Sequence, residues 1–122
     1  AIGNFINDCI HRRPLIINGD GSPVRSYMYS ADMARAILLC LVKDKSMSIN
    51  IGSDEKITIK DLALLVSKTL TNQKVVIKDK ENSHPEKSNY YLPDISFLKS
   101  LGFQESCSLK ESIKRTYNFY ET

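Results

Sequence analysis

Along this 122-residue chain the spacing of apolar residues switches repeatedly between helical and extended, and every extended run is short. Ile2, Phe5, Ile6 and Cys9 lie at i, i+3, i+4 and i+7, the repeat of one helical face, and predict a helix over Ile2–Ile10 that ends before Pro14. "PLIIN" then reads as a strand, "GDGSP" as the loop after it, and "VRSYMY" as a second extended segment. Ser30 is placed to cap "ADMARAILLCLV", where Met33, Ile37 and Leu41, with Ala34 and Leu38, make a wide apolar stripe. "SINIG", Ser48–Gly52, reads as a strand, Thr58 as the cap of "IKDLALLVSKTL", and "KVVIK", Lys74–Lys78, as another strand. A long polar loop, "DKENSHPEKSN", leads to extended "YYLPD" and a helix from about Asp94 to Leu101, stopped by Gly102. Ser108 and Glu111 form a capping box for a last helix with Leu109, Ile113, Tyr117 and Tyr120 on one face. Strands this short make only a small sheet, which the helices must cover. The predicted class is α/β, α+β-like, with a small sheet of short strands packed with several helices in one domain, 1–122.

The composition suits such a domain: 42% hydrophobic and 25% charged residues. A net charge of +3 with lysines scattered mainly between Lys43 and Lys87 describes a solvated surface, and argues against nucleic acid, which calls for clustered Lys and Arg. The longest apolar run, Ala36–Val42, is too short to cross a membrane. Cys9, Cys40 and Cys107 are odd in number and far apart, with no CxxC, so neither a disulfide framework nor a zinc site is expected. A reducing, cytoplasmic setting follows from that reading. The chain starts without Met and already inside a helical pattern, as a piece of something longer does.

Catalytic signatures are missing. There is no GxGxxG, GxxGxxG, P-loop or Gly-x-Ser-x-Gly elbow, and the "GDG" turn carries an anion that would repel phosphate. His11 and His84 have no partner at metal-ligand spacing, and no Tyr is followed by Lys four residues later. The expectation is no catalytic residue and no metal.

Four blocks in order, "PLIINGDGSPVRSYMYSADMARAI", "SINIGSDEKITIKDLALLV", "YYLPDISFLKSLGF" and "SLKESIKRTYNFY", span nearly the whole chain. Together they resemble the C-terminal, substrate-binding part of extended short-chain dehydrogenase/reductases that act on nucleotide sugars, the NAD-dependent epimerases and 4,6-dehydratases. Ser30 replaces the usual Val, Phe119 stands where Trp is common, and Arg12 where Gly is common. No second basic residue of an "RPGD"-like block appears at "SHPEKSN".

The resemblance implies a lobe without its Rossmann domain. That domain carries the glycine-rich NAD(P) loop and the Tyr-x-x-x-Lys pair, so NAD or NADP would belong to the full-length parent and none would bind this fragment. The implied partners are a nucleoside-diphosphate sugar and the N-terminal Rossmann domain of the same parent chain. Helix one and the strand region would face that domain, and the uncovered face would favour self-association of the fragment. The resemblance implies that Arg25 binds the diphosphate, which its planar guanidinium fork suits. Read from the residues alone, Arg25 is a surface arginine paired to Asp20 or Asp32. Ile16 and Asn18 would run along the nucleoside base, with Ile2 and Phe5 near it and His84 standing in for the second basic contact. Asp20 and Gly21 shape the turn. The competing reading is a non-catalytic nucleotide-sugar-binding or interaction module built on the same frame.

Overall fold

The structure, a computed structural model, describes residues 1–43, 46–78 and 90–121. Helix α1 (Ile2–Ile10) forms over the predicted face and buries Phe5, Ile6 and Cys9. They meet α3 (Ile59–Thr69) and α5 (Leu109–Glu121) in a first core with Leu15, Ile17, Leu62, Ala63, Val66, Leu109 and Ile113. Burying a side chain of the size of Leu62 contributes roughly 1.5–3 kcal/mol, and all of the buried residues of this core but Cys9 and Ala63 are large apolar side chains. Strand β1 (Leu15–Ile17) runs parallel to β4 (Val75–Ile77), with Leu15 opposite Val75 and Ile17 opposite Ile77. Its period of two sends Leu15 and Ile17 into the core and leaves Ile16 44% exposed. Strand β2 (Val24–Arg25) pairs antiparallel with β3 (Ile57–Thr58), and Val24 also bridges Tyr90. The expected small sheet is thus two separate two-stranded pieces.

Helix α2 (Ser30–Leu41) and α4 (Ser96–Ser100) build a second core of Ala36, Ile95, Leu98 and Phe103, flanked by Leu39, Ile49 and Ile51. Two expectations fail here. Ser30 is the first helical residue rather than the cap; Tyr29 caps the helix without a side-chain bond. Ser48–Gly52 is not a strand. Its isoleucines alternate inward as a strand's would, but no backbone hydrogen bond joins residues 46–52 to another described residue. Alternation sets which side chains are buried, whereas a ladder also needs a neighbour with free N–H and C=O groups.

The apolar stripe of α2 is real and points outward. The buried side of the helix is Asp32 and Ala36, while Met33, Ile37, Leu38 and Leu41 are exposed. Among the described residues an exposed apolar face thus lies on α2; of the face expected on helix one and the strand region, the apolar side of helix one is largely taken up by the first core, while Ile16 on the strand is exposed.

Short-range caps set the ends of the other helices. Thr58 Oγ1 accepts the Asp61 N–H at 3.0 Å and donates to the Asp61 carboxylate at 2.8 Å. Asp94 accepts the Ser96 N–H at 2.9 Å, which makes Asp94 a turn residue and starts α4 two positions later than predicted. Gly102 takes φ +91° after that helix, as its stop position requires. Only half of the capping box forms: Ser108 accepts the Glu111 N–H at 3.3 Å, but the Glu111 carboxylate turns to Arg115 at 3.0 Å. On α5 the predicted face holds at Leu109, Ile113 and half-buried Tyr117, whereas Tyr120 is exposed.

Candidate functional site

The end of β1, the "GDG" turn and the first turn of α1 enclose a cavity of about 280 Å³. Its apolar wall is Phe5, Ile16 and Ile59, and its polar groups include Asn4, Asn18 and Asp20. Alternation along β1 explains Ile16: with its neighbours in the core, its side chain has only the outer surface left. Asn18, the next outward position, is exposed at the strand's end with its amide uncommitted to any described partner. Phe5 contributes from behind, being 4% exposed and chiefly a core residue.

The turn beneath the cavity is fully occupied with its own structure. Asp20 Oδ1 accepts from the Ser22 N–H at 2.9 Å and the Ser22 hydroxyl at 2.8 Å. Those bonds hold the Asp20 carboxyl below its ordinary range. Gly21 adopts φ +82°, and a Cβ there would lie 2.8 Å from Lys60 Cβ. Gly21 C=O accepts the Lys60 N–H and Pro23 C=O the Ile59 N–H, both at 3.0 Å. With the Thr58 cap, these bonds consume the first amides of α3, so no free N–H cluster is left there for an anion. Asp20 and Gly21 shape the turn, as expected, and also line the cavity.

Arg25 stands outside the lining, two residues beyond Pro23 at its rim. It is half-buried on β2 and its Nη1 donates to Val24 C=O at 2.8 Å, the carbonyl that also accepts the Tyr91 N–H at 3.2 Å. Burial pushes the neighbouring Tyr27 hydroxyl up, and the positive charge of Arg25 opposes it. The two carboxylates offered as ion-pair partners are engaged elsewhere: Asp20 by Ser22, and Asp32 by Ser106 and Arg35. Ile2 is not part of the cavity. It faces a separate groove of about 290 Å³ with Ile6, Tyr27–Ser30 and Tyr120, between α1 and α5. His84 lies outside the described residues.

Asn4, Pro23 and Ile59 line the cavity and escaped the sequence reading. Asn4 had a signal: one step along the helix from buried Phe5, its side chain points away from the core. Ile59 had none, because its place depends on the Gly21 contact with α3. Among the described residues no group of His, Cys, Asp and Glu is arranged for a metal. The glycine-flanked turn spends its geometry and the first α3 amides on itself, which leaves no free amide cluster there of the kind that holds a dinucleotide's phosphates. No described helix is long and apolar enough to cross a membrane.

Residues 1–52 match the family model described as the NAD dependent epimerase/dehydratase family. A probable GDP-L-fucose synthase 1 of Oryza sativa subsp. japonica is 30% identical over 107 residues, 87% of this chain and 32% of its own length. A putative UDP-glucose 4-epimerase of Methanocaldococcus jannaschii is 32% identical over 119 residues, 98% of this chain and 38% of its own. The chain thus spans about a third of the length of these curated relatives. Among solved structures, the UDP-glucose 4-epimerase of Thermotoga maritima with UDP-glucose superposes with a TM-score of 0.82 at 26% identity, over 98% of this chain and 38% of that one. The UDP-N-acetylglucosamine 4-epimerase of Methanobrevibacter ruminantium M1, in complex with UDP-N-acetylmuramic acid, does so with a TM-score of 0.82 at 25% identity and the same shares. Four sequence blocks, a mixed fold of short strands and helices, and these likenesses agree: the chain resembles, over nearly its whole length, a C-terminal part of the NAD-dependent nucleotide-sugar epimerases and dehydratases of the extended short-chain dehydrogenase/reductases.

Proposed function

We propose that this chain is the nucleotide-sugar-binding lobe of an NAD(P)-dependent epimerase or 4,6-dehydratase. The observation that carries the reading is the cavity at the end of β1, where an exposed apolar side chain, Ile16, and an uncommitted amide, Asn18, stand side by side. A flat heterocycle needs that pairing: an apolar surface for its face and a donor–acceptor group for its edge. Arg25, just past the cavity rim, supplies the planar fork for the diphosphate. The sugar would then extend toward a dinucleotide-binding half outside these residues, where hydride and proton transfer take place. This lobe itself performs no bond-making step.

The solved neighbours support the ligand class, since the Thermotoga structure holds UDP-glucose and the Methanobrevibacter one UDP-N-acetylmuramic acid. The test is amide-resolved NMR titration of the chain with UDP, GDP and uridine. Saturable shifts centred on Ile16, Asn18 and Gly19, stronger for a diphosphate than for the nucleoside, are expected. No shift at those amides at millimolar UDP or GDP overturns the proposal.

A further inference from the structure

Among the described residues that line the cavity at the end of β1, Asp20 carries the one charged side chain. Its Oδ1 closes the turn by accepting the N–H and the hydroxyl of Ser22, and its Oδ2 has no hydrogen-bond partner among the described residues. No described cation pairs with that charge: the ion pairs of the described residues engage Asp8, Asp32, Asp54 and Glu111. Nor does the turn need a charge, since an asparagine offers the same side-chain oxygen to the same two donors. What the carboxylate adds over the amide is a fixed negative charge, on a wall whose other side chains are apolar, as Phe5, Ile16 and Ile59 are, or neutral amides.

We infer, resting on the nucleotide-binding reading proposed above, that Asp20 is a specificity determinant of this cavity: its charge holds phosphate groups out, so that a nucleotide enters with its uncharged base first. The neutral groups of the wall do not fix that orientation. The carboxamides of Asn4 and Asn18 donate to a phosphate oxygen as readily as to the edge of a base. The carboxylate does fix it. A diphosphate inside the cavity would bring its own negative charges against Asp20 where apolar walls reduce screening, and no cationic side chain lines the cavity to offset them. Outside the lining, past Pro23, stands Arg25, so base-first entry leaves the phosphates on the cationic side. Selection of this kind works by repelling the wrong arrangement rather than by adding contacts to the right one.

The same charge reaches past the rim, where salt screens it. The field of a solvent-accessible carboxylate fades over about 10 Å at 0.1 M salt. A diphosphate held at the rim therefore still feels Asp20, weakly and in a salt-dependent way, whereas a nucleoside without phosphates does not.

The experiment is amide-resolved NMR titration of the 122-residue chain and of Asp20→Asn with UDP and with uridine, at about 20 mM and about 500 mM sodium chloride. Unchanged Ser22 and Lys60 amides in the free variant show that the turn is kept. Asp20→Asn is expected to bind UDP roughly threefold to tenfold more tightly than wild type at low salt, with the advantage falling below about twofold at high salt. Uridine affinity should stay within about twofold throughout. Glu105→Gln, exposed and outside this cavity, changes the net charge equally and should leave the ratio of UDP to uridine affinity at its wild-type value. The amino group of Ala1 is common to every variant and cancels from the comparison. If Asp20→Asn loses the turn, Asp20→Ser, whose hydroxyl closes the same kind of turn, gives the same comparison. A UDP-to-uridine ratio unchanged in Asp20→Asn at low salt, or changed as much by Glu105→Gln, overturns the inference and leaves the base-binding reading of the cavity standing. If neither ligand moves the amides of Ile16, Asn18 and Gly19, that reading falls and the role of Asp20 falls with it.

Discussion

The buried carboxylate of Asp32 accepts the Ser106 backbone N–H at 2.9 Å, joining the first turn of α2 to the loop before α5 across 74 positions of sequence. Its other oxygen takes Arg35 Nη1 at 2.6 Å, and Arg35 in turn reaches Gln104 C=O at 3.3 Å and lies over the Phe103 ring. A position in the first helical turn already favours a carboxylate. Its near-complete burial, at 1% exposure, makes it the strut between the second core and the C-terminal helix.

Replacing Asp32 with Ala strands the Ser106 N–H and releases Arg35. Leaving a buried donor unsatisfied costs about 1–3 kcal/mol, and urea melts at pH 7 are expected to show that loss. The pH dependence follows from the same contacts. Burial pushes the Asp32 carboxyl up, but the bonds from Ser106 and the charge of Arg35 outweigh it, and the group titrates below its ordinary value. Its contribution is therefore complete above the unfolded carboxyl value, about 3.9, and disappears as the pH falls through the lower folded value. The gap between wild type and Asp32→Ala should shrink on that acid side. A gap independent of pH would remove the carboxylate from the account.

Gly21 and Gly19 flank the same Asp and are expected to behave oppositely. At Gly21 an added Cβ meets Lys60 Cβ at 2.8 Å on a backbone with φ +82°. Strain of that kind costs about 1–3 kcal/mol. At Gly19 the same atom meets nothing within 4 Å, so Gly19→Ala should change stability by less than about 0.5 kcal/mol. Thermal melts of the two variants decide it; equal losses would mean that the contact with α3 is not what Gly21 is for.

The helices and the turn were readable because their causes are local. The Ile2–Cys9 spacing, the Thr58 cap and the Asp20–Gly21 turn act over a few residues, and all three stand as predicted. What the sequence could not show is set at a distance. Ser48–Gly52 has a strand's alternation and lacks a described strand to pair with. The α2 stripe has a core helix's pattern, yet the only described core beside it takes the opposite side. The role of Asp32 required Ser106, 74 residues away, to be brought to it. For the site, Ile16 and Asn18 were named from the family resemblance, and alternation along β1 is what brings both to one cavity. Ile2 lies apart from them because one helical face serves two surfaces, with Phe5 backing the cavity and Ile2 facing the groove beside α5.

The chain should not bind NAD with micromolar affinity. A dinucleotide needs backbone N–H groups free at a glycine-rich strand–helix turn, whereas the amides of Ile59, Lys60 and Asp61 are already paired with Pro23, Gly21 and Thr58. Calorimetry with NAD and NADP at protein concentrations near 100 µM should give only dilution heats. A saturable isotherm would contradict the division of labour between this lobe and a dinucleotide-binding half.

The last prediction tests Arg25 directly. If its guanidinium grips a diphosphate, Arg25→Leu removes charge-assisted hydrogen bonds worth roughly 1.5–3 kcal/mol, which is a loss of about tenfold to a hundredfold in affinity for a nucleoside diphosphate. Arg25→Lys keeps the charge and loses the fork, so it should recover only part of the loss. Because Arg25 is half-buried and donates to Val24 C=O, the Leu variant also gives up that bond. A stability cost of about 0.5–1.5 kcal/mol is expected beside the binding defect. Nucleoside separates the two effects. Uridine and guanosine carry no phosphate, so their affinity should not change if the fold at the cavity is intact. Equal weakening of nucleoside and diphosphate would mean that Arg25 supports β2 and the cavity behind it, and unchanged diphosphate affinity would mean that the phosphates lie elsewhere.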